Sequence, residues 1–222
     1  MSEHVILLHG LCRTSRSMQP MADALRAAGY VVDNVDYPSR AAPIEVLAEI
    51  AVAPAVARAT AAGATCIHFV THSLGGILVR QYLATHTLPA LGRVVMLGPP
   101  NQGSEVVDRL GSWRLFAIVN GPAGRQLGTD THSVPNRLGP VTYPVGVIAG
   151  RHSINWINSW LIPGPDDGKV SVARTRVSGM TGYLVLPCAH PFLMRNRAAI
   201  RQTVHFLGRG RFQGVAPTAP AP

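Results

Sequence analysis

Short apolar runs alternate with helix-length segments along this 222-residue chain, and that rhythm limits the fold more than any other feature. Residues 5–8, 30–35, 66–70, 93–97, 145–149 and 183–186 read as strands. Segments 15–28, 43–63, 75–86 and 194–207 read as helices. Such alternation gives an α/β fold: a mostly parallel sheet of about six strands with helices on both faces. The punctuation agrees. Ser15 or Ser17 can cap the first helix and Gly29 ends it, while Pro43 opens an alanine-rich helix that Pro54 should kink.

Residues 101–144 lose the rhythm. They are rich in Gly, Pro, Asn and Ser, with helical fragments only at 105–110 and 113–119. A long insertion between two strands reads as a short cap over a site. The closing A-P-T-A-P-A-P offers nothing to pack. We therefore expect a single domain over 1–210 and a disordered tail over 211–222.

Hydrophobic residues make up 47% of the chain and charged residues 14%, enough for a sizeable core. No apolar run reaches the roughly 18 residues that a membrane helix needs. The start, M-S-E-H-V-I-L-L, carries an acidic residue and a short apolar run rather than a leader, so a cytoplasmic location is expected. Cys12, Cys66 and Cys188 are odd in number and widely spaced, which argues for reduced thiols and against a disulfide framework or metal cluster. The net charge of +9 is uneven: up to Asp167 there are 12 basic and 11 acidic residues, and beyond it 8 basic and none acidic. The basic residues of that last quarter are scattered without interleaved aromatics. This reads as a solvated face rather than a nucleic-acid surface.

The stretch V-T-H-S-L-G-G, residues 70–76, sits where a strand gives way to a helix. A serine on such a sharp turn is exposed as a nucleophile, provided its neighbours two before and two after are small. Gly75 meets this requirement, Gly76 adds room, and Thr71 departs from it modestly. Nucleophilic serine chemistry then needs a histidine base and a carboxylate to orient it, in the chain order Ser, Asp or Glu, His. Beyond the fifth strand only Asp166 and Asp167 are acidic, and only His190 and His205 follow them. His190 stands in a loop just past the sixth strand, whereas His205 lies inside the last helix. The candidates are therefore Ser73, His190 and one of the two aspartates. An oxyanion needs two backbone donors, worth roughly 3–4 kcal/mol each. Leu74, after the serine, and Leu11, after the His-Gly that ends the first strand, are the expected pair.

V-I-L-L-H-G-L, V-T-H-S-L-G-G, L-G-P-P-N-Q-G-S and P-D-D-G-K-V together resemble the motifs of small bacterial esterases and lipases of the α/β-hydrolase superfamily. The resemblance runs from the first strand to the last helix. It implies a minimal sheet without the edge hairpin of larger members, and an acyl-enzyme mechanism on carboxylic esters. The D-G-x-V setting of the acid in such lipases favours Asp167 over Asp166. Some of these lipases carry Thr or Ala at the position of Thr71. Asn101 replaces a histidine of the lipase segment, and their calcium site has no acidic residue here to hold it. No cofactor or metal is expected.

A small-molecule ester of short or medium acyl chain is the expected substrate. Trp113, Leu115, Phe116, Ile118, Trp156, Trp160 and Leu161 could line its acyl pocket or simply pack. Cys12 is read as a small buried neighbour of the oxyanion loop, His9 and His72 as supports of the two turns, and His68 as a core residue. Lipase, phospholipase, thioesterase and acyltransferase activities would use the same three residues. A non-catalytic binding protein on this fold is a further alternative. Chain-length preference, stereoselectivity and oligomeric state are not written in these motifs.

Overall fold

The apolar runs become strands β1 (Glu3–Leu8), β2 (Val31–Val35), β3 (Cys66–His72), β4 (Leu91–Leu97), β5 (Val145–Gly150) and β6 (Gly182–Leu186). In the computed structural model, which describes residues 2–111, 113–154 and 162–215 with the backbone alone at 114–117, they form one sheet. Its order is β2-β1-β3-β4-β5-β6, and every pair is parallel. The helices are α1 (Gln19–Ala27), α2 (Ile44–Ala61), α3 (Leu74–Thr85), α4 (Glu105–Leu110), α5 (Arg114–Arg125), α6 (Val134–Arg137) and α7 (Arg197–Arg209). None of the described helices is long and apolar enough to cross a membrane.

Side chains along each strand alternate between two cores, because successive residues point to opposite faces. Ile6, Leu8, Phe69 and Met96 pack on one side with α2 and α3. Val5, Leu7, Val70, Val95 and Ile148 pack on the other with α1 and α7. Both faces are covered, so the strands are continuous apolar runs rather than alternating ones.

Several boundaries differ from expectation for identifiable reasons. A 3-10 turn over Ser15–Met18 precedes α1, and no side chain caps either element. Ser17 instead donates to the Thr14 carbonyl (2.7 Å), and the Ser15 amide donates to Asp36 (2.8 Å). Helix α2 runs on through Pro54, which lies on its exposed face. The last helix starts later than expected because Asn196 caps it, accepting from the amides of Ala198 (2.9 Å) and Ala199 (3.1 Å). Gly210, at φ 72°, ends it in the left-handed region. Beyond it Phe212 is buried against Phe206, with ring centroids 4.8 Å apart. The chain therefore still packs past residue 210, where a disordered tail was expected to begin. Residues 216–222 lie outside the described residues.

The insertion between β4 and β5 carries α4, α5 and α6, with α5 broken where Gly121 adopts φ 66° ahead of Pro122. One buried cation fastens it to the sheet domain. Arg80 of α3 donates to the Asn101 backbone and side-chain oxygens (3.0 and 3.2 Å), to Pro135 O (3.1 Å) and to Gly139 O (2.7 Å). Asn101 in turn donates to Thr175 O (2.9 Å). That network gives the asparagine in G-P-P-N-Q-G a structural task. Burial lowers the Arg80 pKa to about 10. Replacing Arg80 by methionine strips four acceptors of their donor, and stability should fall by roughly 2–4 kcal/mol. Urea unfolding of wild type and Arg80→Met measures it; a change under about 0.5 kcal/mol would show that the insertion is held elsewhere.

Candidate active site

Strand β3 ends at His72 and α3 begins at Leu74, so the reversal falls on Ser73, at φ 51° and ψ −118°. A positive φ is strained for serine and persists only where the surroundings enforce it. They do so here. The Ser73 amide donates to Leu97 O (2.9 Å), and a Cβ on Gly75 would lie 2.7 Å from Leu8 O and 2.9 Å from Leu8 Cβ. Helix and first strand thus pass at a separation that only glycine permits. Thr71 is completely buried, and a Cβ on Gly76 would come 3.2 Å from its hydroxyl oxygen. The room that a glycine at 71 would have supplied comes instead from Gly76.

His190 follows β6, and its Nδ1–H donates to Asp167 Oδ2 at 2.7 Å, with Asp167 wholly buried. The other oxygen, Oδ1, accepts from the amides of Lys169 and Val170, both at 3.0 Å. The His190 amide closes the loop on the Asp167 carbonyl at 2.9 Å. Asp166 points elsewhere, accepting from the Gly168 amide at 2.7 Å and bridging to Ser171. Of the two aspartates the pairing with His190 therefore goes to Asp167. Gly98, at φ 55°, backs the pair: a Cβ there would be 3.1 Å from both Asp167 Oδ2 and His190 Nδ1. His205 lies apart, bonded to Arg211 O at 2.8 Å.

Ser73, Asp167, His190 and Leu11 line one cavity of about 400 Å³. Ser73 is half-buried and His190 nearly covered. No hydrogen bond joins these two described side chains, a contact that commonly tightens only when substrate binds. Leu74 opens α3, so its amide has no acceptor within the helix. Leu11 opens the turn after β1, which is closed by the Arg13 amide on Gly10 O at 3.2 Å.

Two histidines brace the turns. The His9 ring stacks on Tyr37 at 4.1 Å, bonds Gly10 O at 2.9 Å, and accepts from the Tyr37 amide at 3.3 Å. His72 Nε2–H donates to the His190 carbonyl at 3.1 Å, linking the serine turn to the histidine loop. Sequence reading treated His72 only as a support of its own turn. It missed this link, together with Gly98 and Tyr37, because all three depend on contacts between distant segments.

Other expectations are corrected. Cys12 is exposed rather than buried, at φ 56°, with its thiol on Val119 O at 3.3 Å. Trp113 and Ile118 are 62% and 75% exposed and do not line the cavity. Its apolar wall is aliphatic instead: Val106, Val107, Val119, Leu127 and Val170. The side chains of Leu115 and Phe116, and residues Trp156, Trp160 and Leu161, lie outside what is described. Among the described residues no cluster of His, Cys, Asp or Glu is suited to a metal ion.

Residues 5–213 match the model of the "alpha/beta hydrolase family". The chain belongs to that family. The fold of this alpha/beta hydrolase is similar to that of the mature lipase BlEst2 from Bacillus licheniformis, at 18% identity over 93% of this chain and 91% of that one (TM-score 0.71). It is also similar to phospholipase PlaB from Legionella pneumophila, at 19% identity over 86% of this chain but only 53% of that one (TM-score 0.68). A third similar structure is the monoacylglycerol lipase of Paleococcus ferrophilus, at 17% identity over 93% and 94% of the two chains (TM-score 0.62). No curated protein matches the chain.

Two outcomes follow from this geometry. Gly76→Ala should destabilise the hydrolase, and Thr71→Ala should relieve part of that cost. A double-mutant cycle read by urea unfolding should give a favourable coupling on the order of 0.5–1 kcal/mol; additive effects would mean that Thr71 and Gly76 do not share one space. The second outcome concerns acid. His9, His68 and His72 are each held below the ordinary histidine value, chiefly by burial, His72 furthest and also by the neighbouring His190. Each takes up a proton more readily unfolded than folded. Their contribution is thus intact above about pH 6.5 and is lost as the pH falls below it. Melting temperatures between about pH 7.5 and 5 should show this decline, and His72→Gln should make it shallower. A decline of unchanged slope in that variant would remove His72 from the account.

Proposed function

We propose that the protein is a carboxylic ester hydrolase that works through an acyl-enzyme on Ser73. The observation that carries this reading is the strained Ser73 sharing one cavity with the buried Asp167–His190 pair. His190 Nε2 takes the proton from Ser73 Oγ as the oxygen attacks the ester carbonyl. Asp167 holds Nδ1–H and stabilises the imidazolium that forms. The amides of Leu11 and Leu74 receive the oxyanion. His190 then gives its proton to the leaving alcohol, and water attacks the acyl-enzyme by the same route in reverse.

The aliphatic wall supplied by Val106, Val107 and Leu127 suits an acyl chain. Its cavity of about 400 Å³ is near the lower end of small-molecule sites, which favours short or medium chains over long ones. The lipases and the phospholipase with similar folds support acyl esters as the substrate class. Hydrolysis of 4-nitrophenyl butyrate and decanoate tests the reading. Ser73→Ala and His190→Ala should lower kcat by roughly 10³-fold or more, Asp167→Asn by about 10²–10⁴-fold, and Asp166→Asn by less than about tenfold. Equal turnover in wild type and Ser73→Ala would discard the mechanism. Butyrate should be preferred to decanoate.

A further inference from the structure

We propose that the site selects esters whose alcohol half carries an anionic group, a carboxylate or a phosphate. This rests on the reading of Ser73 as the nucleophile. The lining of the cavity is mixed: Val106, Val107 and Leu127 are apolar, while Arg13 and Lys169 bring two cations to it. Both cations follow directly on the machinery. Arg13 stands two residues after Leu11, and Lys169 two after Asp167.

No described residue neutralises them. Both are exposed, and among the described residues neither forms an ion pair. The lining holds one carboxylate, Asp167, whose oxygens are taken by His190 and by the Lys169 and Val170 amides. The acids near them in the chain or by contact have other partners. Asp166 accepts from the Gly168 amide, Asp36 accepts from the Ser15 amide and lies 3.5 Å from His9, and Glu105 pairs with Arg174 through the oxygen that also accepts from Ser171. The two backbones are fixed, since the Arg13 amide bonds Gly10 O and the Lys169 carbonyl accepts from Ser104 at 2.7 Å. A cleft with two cations and, among the described residues, no carboxylate paired to them favours a negatively charged ligand. The acyl chain takes the aliphatic wall, so the charge belongs to the alcohol half. The net charge of +9 adds long-range attraction of the same sign.

Two matched pairs test this and separate a soluble acid from a lipid headgroup. One is 4-carboxyphenyl butyrate against 4-(methoxycarbonyl)phenyl butyrate. The other is dioctanoyl phosphatidylglycerol against dioctanoyl phosphatidylcholine in mixed micelles. In at least one pair the anionic ester should have a kcat/KM about fivefold or more above its neutral match, and about 0.5 M NaCl should abolish the difference. The ratio should fall by about fivefold in Arg13→Gln/Lys169→Gln and invert in Arg13→Glu/Lys169→Glu. A preference in the first pair alone assigns a soluble acid, and in the second alone a lipid headgroup. Ratios within about twofold of unity in both pairs, or a ratio untouched by the double substitution, would overturn the proposal. Turnover that persists in Ser73→Ala, or no turnover of any ester, would instead bring down the nucleophile reading beneath it.

Discussion

The constraint on which the candidate site depends is the crossing of α3 over the end of β1. Gly75 sits against the Leu8 carbonyl at a distance no Cβ can share, and that contact forces the chain to turn within one residue. The strain collects on Ser73, which pushes its hydroxyl out of the sheet edge instead of folding it into a helix cap. A close approach of helix and strand that only glycine allows therefore accompanies the turn that presents Ser73. The same helix then does a second job. Seven residues after Ser73, Arg80 reaches into the insertion and gathers Asn101, Pro135 and Gly139 around its guanidinium. Presentation of Ser73 and attachment of the insertion fall to one helix, which ties the shape of the cavity to the position of the hydroxyl.

Much of this was legible in the sequence because it rests on local rules. Strand runs buried on both faces, helices between them and a serine at a strand–helix turn are patterns of neighbours in the chain. Order along the chain then narrowed the candidate base to His190 and the candidate acid to two adjacent aspartates. Which aspartate could not come from spacing alone. The choice depends on Asp166 turning back to Gly168 while Asp167 is held by two amides of the following turn. The helix caps failed for a similar reason. Ser17 turns its hydroxyl to the Thr14 carbonyl, and it is Asp36, distant in the chain, that takes up the Ser15 amide.

The departure from glycine at Thr71 shows how far a motif can bend. A motif records the residue types that solve a packing problem most often; the problem itself is the volume between strand and helix. Here Gly76 solves it from the helix side, and Thr71 keeps its hydroxyl in the space left open. The insertion shows the opposite difficulty. Trp113 could have lined a pocket or packed in the core; it does neither and faces outward, and the apolar lining described is aliphatic.

His72 joins these strands of argument. It lies one residue before the proposed nucleophile and holds the carbonyl of the proposed base. Its ring sits 4.8 Å from that of His190, so a charge on it would oppose the imidazolium that ester hydrolysis requires. Complete burial keeps it neutral, and its one committed proton goes to the His190 backbone rather than to the ring. A second histidine so near the proposed base could be expected to compete for protons. Burial turns it into an uncharged strut instead, fixing the separation between two loops that meet only through the tertiary fold.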